Sequence, residues 1–264
     1  LPVEVPKGSH KCTGTISIAM DDGSSGEMPL SFQATQHPPL TMTIPEETVD
    51  VSQSTLTVKM DRPSKTYQIE LFDSDNSPVG QGSTSVNPNN NLGLTTVTWD
   101  ALSEDIAVIR VSGEDIYGFT THTDLFPWHY DIPHEDVIFA SNQSEIASDQ
   151  EPKLTAVQSE VQKVVAKYSQ FAVVNLYVAG YTDTVGDAAG NLRLSDARAQ
   201  SIARWFQSNG FTGNIYYQGF GESVLAVPTG DGVDEAQNRR ALYVVAAATP
   251  KSESFPNNQW KKLQ

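Results

Sequence analysis

The stretch VVNLYVAGYTDTVGDAAGNLRLSDARA, Val173 to Ala199, decides the fold of the second half of this chain. Residues 173–179 are apolar and long enough for one buried strand, which Gly180 ends. A loop of Gly, Asp, Thr and Asn follows. Leu194-Ser195-Asp196-Ala197-Arg198-Ala199 then reads as the opening of a helix, with Ser195 as the expected N-cap. Asp183, just past the strand, and Arg198, in that first helical turn, are expected at one mouth. Such a pair suits a ligand with both an ammonium and a carboxylate: Asp offers acceptors and Arg a planar fork. Amides at the helix start would favour the carboxylate as well. The same two residues also fit a structural ion pair tying loop to helix.

Working outward, strand and helix patterns alternate. Residues 136–139 read as a strand. Ser148-x-x-Glu151 fits a capping box, and Leu154, Val157, Val161, Val164, Val165 and Tyr168 follow at helical spacing. After the 173–179 strand and a helix over 195–209, Gly210 stands where a helix stops. Residues 215–219 and 241–245 read as strands, separated by a Gly/Pro loop over 220–234. The order β-α-β-α-β-β predicts an α/β domain over 135–248, with helices packed on one side of a mixed sheet. The tail, 249–264, is polar with Pro250 and Pro256, and is expected to be poorly ordered.

Residues 1–118 read as an all-β, sandwich-like domain. Alternating runs occupy 13–20, 40–44, 56–60, 67–72, 95–99 and 106–111, with turn-rich segments at 21–26, 73–82 and 87–93. The join, 119–134, holds Pro127 and Pro133 beside Phe119, Phe126, Trp128 and Tyr130. It is too apolar for a flexible linker and is expected to pack as an arm.

Composition narrows the function. The chain of 264 residues has a net charge of −15, which argues against nucleic acid, whose affinity rests on Lys and Arg. Residues 1–134 hold 18 acidic and 6 basic side chains, so most of the charge lies in the first half, where it serves solubility. No stretch of about 18 apolar residues is present, so no membrane-spanning helix is expected. The opening Leu1-Pro2-Val3-Glu4 fits a mature or trimmed N-terminus. The single cysteine, Cys12, excludes an internal disulfide and a Cys-based zinc site. Gly8-Ser9-His10-Lys11 before it lacks the apolar stretch of a lipoprotein signal. His122, His129 and His134 have no tight ligand spacing, so no metal is expected. Asp73-Ser74-Asp75-Asn76 has Pro78 where a calcium loop needs Gly, and reads as a hairpin turn.

Three separated blocks carry a family resemblance. Gly180-Tyr181-Thr182-Asp183-x-x-Gly186, then Asn191-x-x-Leu194-Ser195-x-x-Arg198-Ala199, then Asn238-Arg239-Arg240 resemble the OmpA-like C-terminal domain, a peptidoglycan-binding module of diderm (Gram-negative) bacteria. Phe139-x-x-Asn142-x-Ser144-x-Ile146 is similar to its first block, with Ala140 where Asp is common. Ala241 stands where a β-branched residue is usual. The resemblance implies that Asp183 and Arg198 grip the diaminopimelate of the stem peptide, with Asn142, Asn191, Thr182 and Arg239 around it. From residue chemistry, Asn142 also fits a turn cap, and Asn191 a loop-holding role. Arg240 is expected as a structural partner. Residues 67–118 loosely resemble Ig-like modules of bacterial surface and flagellar-hook-cap proteins.

The expected function is a noncatalytic anchor, without cofactor, in the periplasm at the outer membrane or wall. It would link the β domain, and an outer-membrane or surface partner, to peptidoglycan. Two alternatives are a wall-active enzyme targeted by this domain and a flagellar or motor-associated structural module.

Overall fold

In the computed structural model, the described residues are 8–87, 92–101, 105–140, 142–257 and 259–264. The opening at Leu1 and part of the 87–93 turn lie outside them. The chain divides into two compact units. One comprises Leu1–Gln68, Ser83–Thr98 and Ser112–Thr123, and the other Ile69–Gly82, Trp99–Val111 and Asp124–Gln264. Among the described residues no helix is long and apolar enough to cross a membrane.

The first half of the sequence supplies strands β1 (Gly8–Ala19), β2 (Ser25–Gln36), β3 (Met42–Thr43), β4 (Thr55–Met60), β5 (Ser64–Phe72) and β6 (Pro78–Ser85). Strands β7 (Thr95–Thr98), β8 (Asp100–Ala101), β9 (Val108–Asp115), β10 (Thr120–Leu125) and β11 (His129–Asp131) follow. Among the described residues β1 and β2 pair only with each other, β3-β4-β7 form a second sheet, and the order β10-β9-β5-β6-β8 a third. All six alternating runs become strand in whole or in part. Five strands of this half, β2, β6, β8, β10 and β11, fall outside those runs. β2 alternates through Met28, Leu30 and Phe32 but carries Pro29 within its run, and β6 is Gly- and Ser-rich without an apolar alternation. The turn between β5 and β6 is confined to residues 73–77: the Asp73 carboxylate accepts from the amides of Asp75 and Ser77 at 2.9 and 2.8 Å.

The second half adds helix α1 (Glu151–Tyr168), strand β12 (Asn175–Tyr181), helix α2 (Ala188–Ser208), and strands β13 (Asn214–Gly221), β14 (Ala241–Ala246) and β15 (Lys261–Lys262). The sheet order is β11-β14-β12-β13-β15. β12 runs parallel to β13 and antiparallel to β14, so the sheet is mixed as expected. Every residue of β12 is buried, which explains its continuous apolar run. Leu176 and Val178 face the helices, in one core with Leu154, Val157, Ile202 and Phe206. Tyr177, Ala179 and Tyr181 face the opposite side.

Four expectations fail here, each for a local reason. Residues 136–139 are not a strand. The Ile138 amide donates to Gln150 Oε1 and the Asp136 carbonyl accepts from Lys153 Nζ, so side chains satisfy this backbone, and β11 pairs with β14 instead. Ser148 does not cap α1: the N-cap is Gln150, with no side-chain hydrogen bond. α2 starts seven residues before Ser195, because the Asp187 carboxylate caps it by accepting from the Gly190 amide at 2.8 Å. Residues that looked like loop, Ala188-Ala189-Gly190-Asn191, are therefore its first turn, and Ser195 is buried mid-helix.

Finally, the polar tail packs. Phe255 is buried, Trp260 meets Tyr177 and Phe220 edge-on, and β15 pairs with β13. These aromatic groups cover the sheet face that carries no helix.

The seat of α2 on the sheet depends on glycine. Gly180 and Gly219 are paired neighbours on β12 and β13. A Cβ at Gly180 would stand 2.4 Å from the Ser195 carbonyl oxygen, and one at Gly219 2.2 Å from the Asp196 nitrogen. Only bare backbone lets the helix approach this closely. Ser195 Oγ uses that approach, donating to Leu192 O at 3.0 Å and accepting from Gly221 N at 2.9 Å.

Three outcomes follow from this packing. Gly219→Ala should cost roughly 1–3 kcal/mol in chemical denaturation, because α2 must move off the sheet. Truncation after Thr249 should cost about 3 kcal/mol or more, read as a lower melting temperature, because Phe255 and Trp260 leave their sites. His134 gives a pH dependence. Its Nδ1 lies 2.6 Å from Ile132 O and its Nε2 2.7 Å from Ala241 O, and only the imidazolium donates to both. Burial opposes that charge, but the Asp136 carboxylate and the two carbonyls outweigh it, so the pKa is raised above 6.5. The stabilisation is then full below the unfolded pKa and is lost as pH rises through the folded one. The melting temperature should fall between about pH 6 and 8, and His134→Gln should flatten that slope.

Candidate functional site

All six residues singled out from the sequence line one cavity of about 320 Å³: Asn142, Thr182, Asp183, Asn191, Arg198 and Arg239. Phe139, Val185, Leu194 and Asp234 complete its wall. The end of β12 delivers Thr182 and Asp183. α2 delivers Asn191 from its first turn and Arg198 two turns later. The segment before β14 delivers Arg239. The seat of α2 on Gly180 and Gly219 therefore sets the distance between the acidic and basic walls.

Asp183 and Arg198 reach the same cavity, but they do not form the ion pair considered from the sequence. Asp183 Oδ2 accepts from Arg239 Nη1 at 2.5 Å, and Arg239 also donates to Asp234. Those bonds, to Asp183 first and Asp234 second, raise the Arg239 pKa. Arg198 is only 8% exposed and makes no salt bridge among the described residues. Its Nε donates to the Gln143 carbonyl at 3.0 Å, and its guanidinium lies 5.0 Å from the centre of the Phe139 ring. Burial lowers its pKa, and the nearby Arg239 charge adds to this, while Asp183 opposes it. The cavity thus presents one buried cation whose charge no carboxylate neutralises in direct contact.

The remaining residues divide between wall and scaffold. Asn191 Nδ2 reaches Asp183 O at 3.3 Å, Val185 O at 3.1 Å and Glu222 Oε2 at 2.6 Å, so it holds the loop. Thr182 is 2% exposed, and its Oγ1 is buried without a hydrogen-bond partner. Asn142 takes a left-handed φ of 56°, at a turn closed by the Gln143 amide on Ala140 O. Asn tolerates that conformation better than most residues. Arg240 lies over the Tyr181 ring at 4.1 Å and donates to Val224 O, whereas Arg239 faces Asp183. The helix N-terminus does not contribute as expected, since Ser195 lies two turns inside α2.

The sequence reading missed Asp234 and Glu222. Asp234 sits five residues before Arg239 in a Gly/Pro loop that lacks periodicity, and Glu222 follows β13 directly. Neither position carries a local signal; only the fold brings them to Arg239 and Asn191.

Residues 138–239 match the model of the OmpA family. The chain is 30% identical over 125 residues to outer membrane protein P5 of Haemophilus influenzae, covering 47% of this chain and 32% of that protein. It is 37% identical over 108 residues to outer membrane protein A of Shimwellia blattae, covering 40% and 42%. The chain thus spans well under half the length of these curated relatives. Among solved structures, the peptidoglycan-associated lipoprotein of Burkholderia pseudomallei aligns with 21% identity and a TM-score of 0.34, over 42% of this chain and 88% of that one. The β-α-β-α-β-β arrangement, the sequence blocks around the cavity and the family match agree: residues 138–239 form an OmpA-like domain.

Proposed function

We infer that this chain is a noncatalytic anchor in the cell envelope, whose OmpA-like domain binds the stem peptide of peptidoglycan. The observation that carries this reading is Arg198, a buried guanidinium with no ion pair in a cavity whose other cation is neutralised. Burying an unpaired charge is costly, and an anion supplied by a ligand removes that cost. The carboxylate of diaminopimelate meets the guanidinium nitrogens of Arg198. Its ammonium meets Asp183, shared with Arg239. The orphan Thr182 hydroxyl and the Asn142 side chain take the polar groups of the adjoining peptide, and Asn191 holds the loop beneath them. Two relatives are outer membrane proteins, which supports a place at the outer membrane or wall.

A noncatalytic role is supported by the fate of the acids. Asp183 and Asp234 both accept from Arg239, which leaves neither as a free base beside a nucleophile. Affinity at a single cavity is modest; a polymeric wall supplies avidity. The β-rich first half is the end that faces a partner.

Cosedimentation with purified diaminopimelate-type peptidoglycan tests the reading. Asp183→Ala and Arg198→Met should each weaken pelleting at least tenfold, about 1.4 kcal/mol or more. Arg198→Met should melt no lower than wild type, because an apolar chain replaces a buried unpaired charge. Equal pelleting of all three proteins would overturn the assignment. Muropeptides released from the wall by the wild type would overturn the noncatalytic role.

A further inference from the structure

The β1–β2 hairpin stands apart in its chemistry. Its 12 residue pairs run without a break from Gly8↔Gln36 to Ala19↔Ser25. The even-numbered positions of both strands share one face. That face carries Ile16, Ile18, Met20, Met28, Leu30 and Phe32, all 41–62% exposed. The other face carries Thr13, Thr15, Ser17, Glu27, Ser31 and Gln33. A lone two-stranded hairpin is marginal in water, and this one shows water an apolar ladder along most of its length.

We propose that this apolar face is covered by the same face of a second copy of the chain, giving a four-stranded, two-layer dimer. Relief is one reason. Leu30 stands opposite Gly14 and Ile18 opposite Gly26, so large side chains alternate with bare backbone. A Cβ at either glycine would meet nothing within 4 Å, so each is an open hollow beside a projecting side chain. A twofold axis through the face lets the projections of one copy enter the hollows of the other, as isologous interfaces require.

Charge and size agree with this pairing. The ladder from residue 12 to 20 and from 26 to 34 puts no charged side chain on the apolar face, so two copies stack without like-charge repulsion. The contact would bury on the order of 600 Å² per copy, about 1,200 Å² in all, the lower end of stable interfaces.

A bilayer is the less suitable cover. Hydrocarbon tolerates no open strand edge, and among the described residues this hairpin has two. Pro29 sits within the unbroken ladder opposite Thr15, so its missing N–H must face the outer edge of β2 and blunts edge-on closure into a barrel. On the binding role proposed above, a dimer brings two peptidoglycan pockets to one wall and raises avidity. The test of dimerisation does not depend on that role.

Sedimentation velocity on the full chain at tens of micromolar tests the proposal. Wild type should sediment as a dimer with a concentration-dependent melting temperature, and the double variant Ile16→Asp/Phe32→Asp as a folded monomer that keeps a cooperative melting transition independent of concentration. Thr13→Asp, on the opposite face, should remain dimeric. Cys12 lies on the apolar face opposite Phe32, so its reaction with a maleimide should be slower in wild type than in the double variant. A monomeric wild type, or a double variant that dimerises equally well, would overturn the proposal. So would a monomeric wild type that floats with vesicles of phosphatidylethanolamine and phosphatidylglycerol, since lipid would then be the cover.

Discussion

The close approach of α2 to the sheet is the constraint on which the site depends. Two paired glycines, Gly180 and Gly219, leave bare backbone where Ser195 and Asp196 press down. The Ser195 hydroxyl then bridges the helix to the Gly221 amide. This contact fixes both the height and the rotation of α2. Arg198, three residues further on, is thereby held over Phe139 with its Nε on the Gln143 carbonyl. A side chain at either glycine would shift the helix as a body, and the guanidinium with it.

Within that frame, charge is distributed unequally. Arg239 is flanked by Asp183 and Asp234, and its proton is held more tightly for it. Arg198 is buried against an aromatic ring and a carbonyl, and its proton is held less tightly. A structural ion-pair network would have neutralised both. The asymmetry places a cation without a carboxylate partner beside a carboxylate held by Arg239, and the proposed ammonium-and-carboxylate ligand rests on it.

Much of this was legible in the sequence. The helical spacing of α1 and the stop at Gly210 rest on periodicity and backbone chemistry that act locally, and they appear where expected; β12 is buried as its apolar run predicts but lies two residues later, passing through Gly180 to Tyr181 instead of ending there. The six residues singled out in the sequence line one cavity because four motif blocks are brought together there. What was illegible depends on partners far along the chain. Residues 188–191 look like loop until Asp187 caps them. Residues 136–139 look like a strand, although their backbone is satisfied by Gln150 and Lys153. The tail looks loose because Phe255 and Trp260 are isolated among polar residues, and only the uncovered aromatic face of the sheet gives them a place. Asp234 and Glu222 are likewise set by the fold alone.

The central claim is that Arg198 awaits a ligand carboxylate. Calorimetric titration of the intact chain with a diaminopimelate stem tripeptide, beside the same peptide amidated at the diaminopimelate side-chain carboxyl, tests it most directly. Amidation removes the charge but keeps the shape. The account predicts binding at least tenfold weaker for the amide, a difference of about 1.4 kcal/mol or more, and predicts that Arg198→Met no longer distinguishes the two peptides. Equal affinity of the wild type for both forms would contradict it.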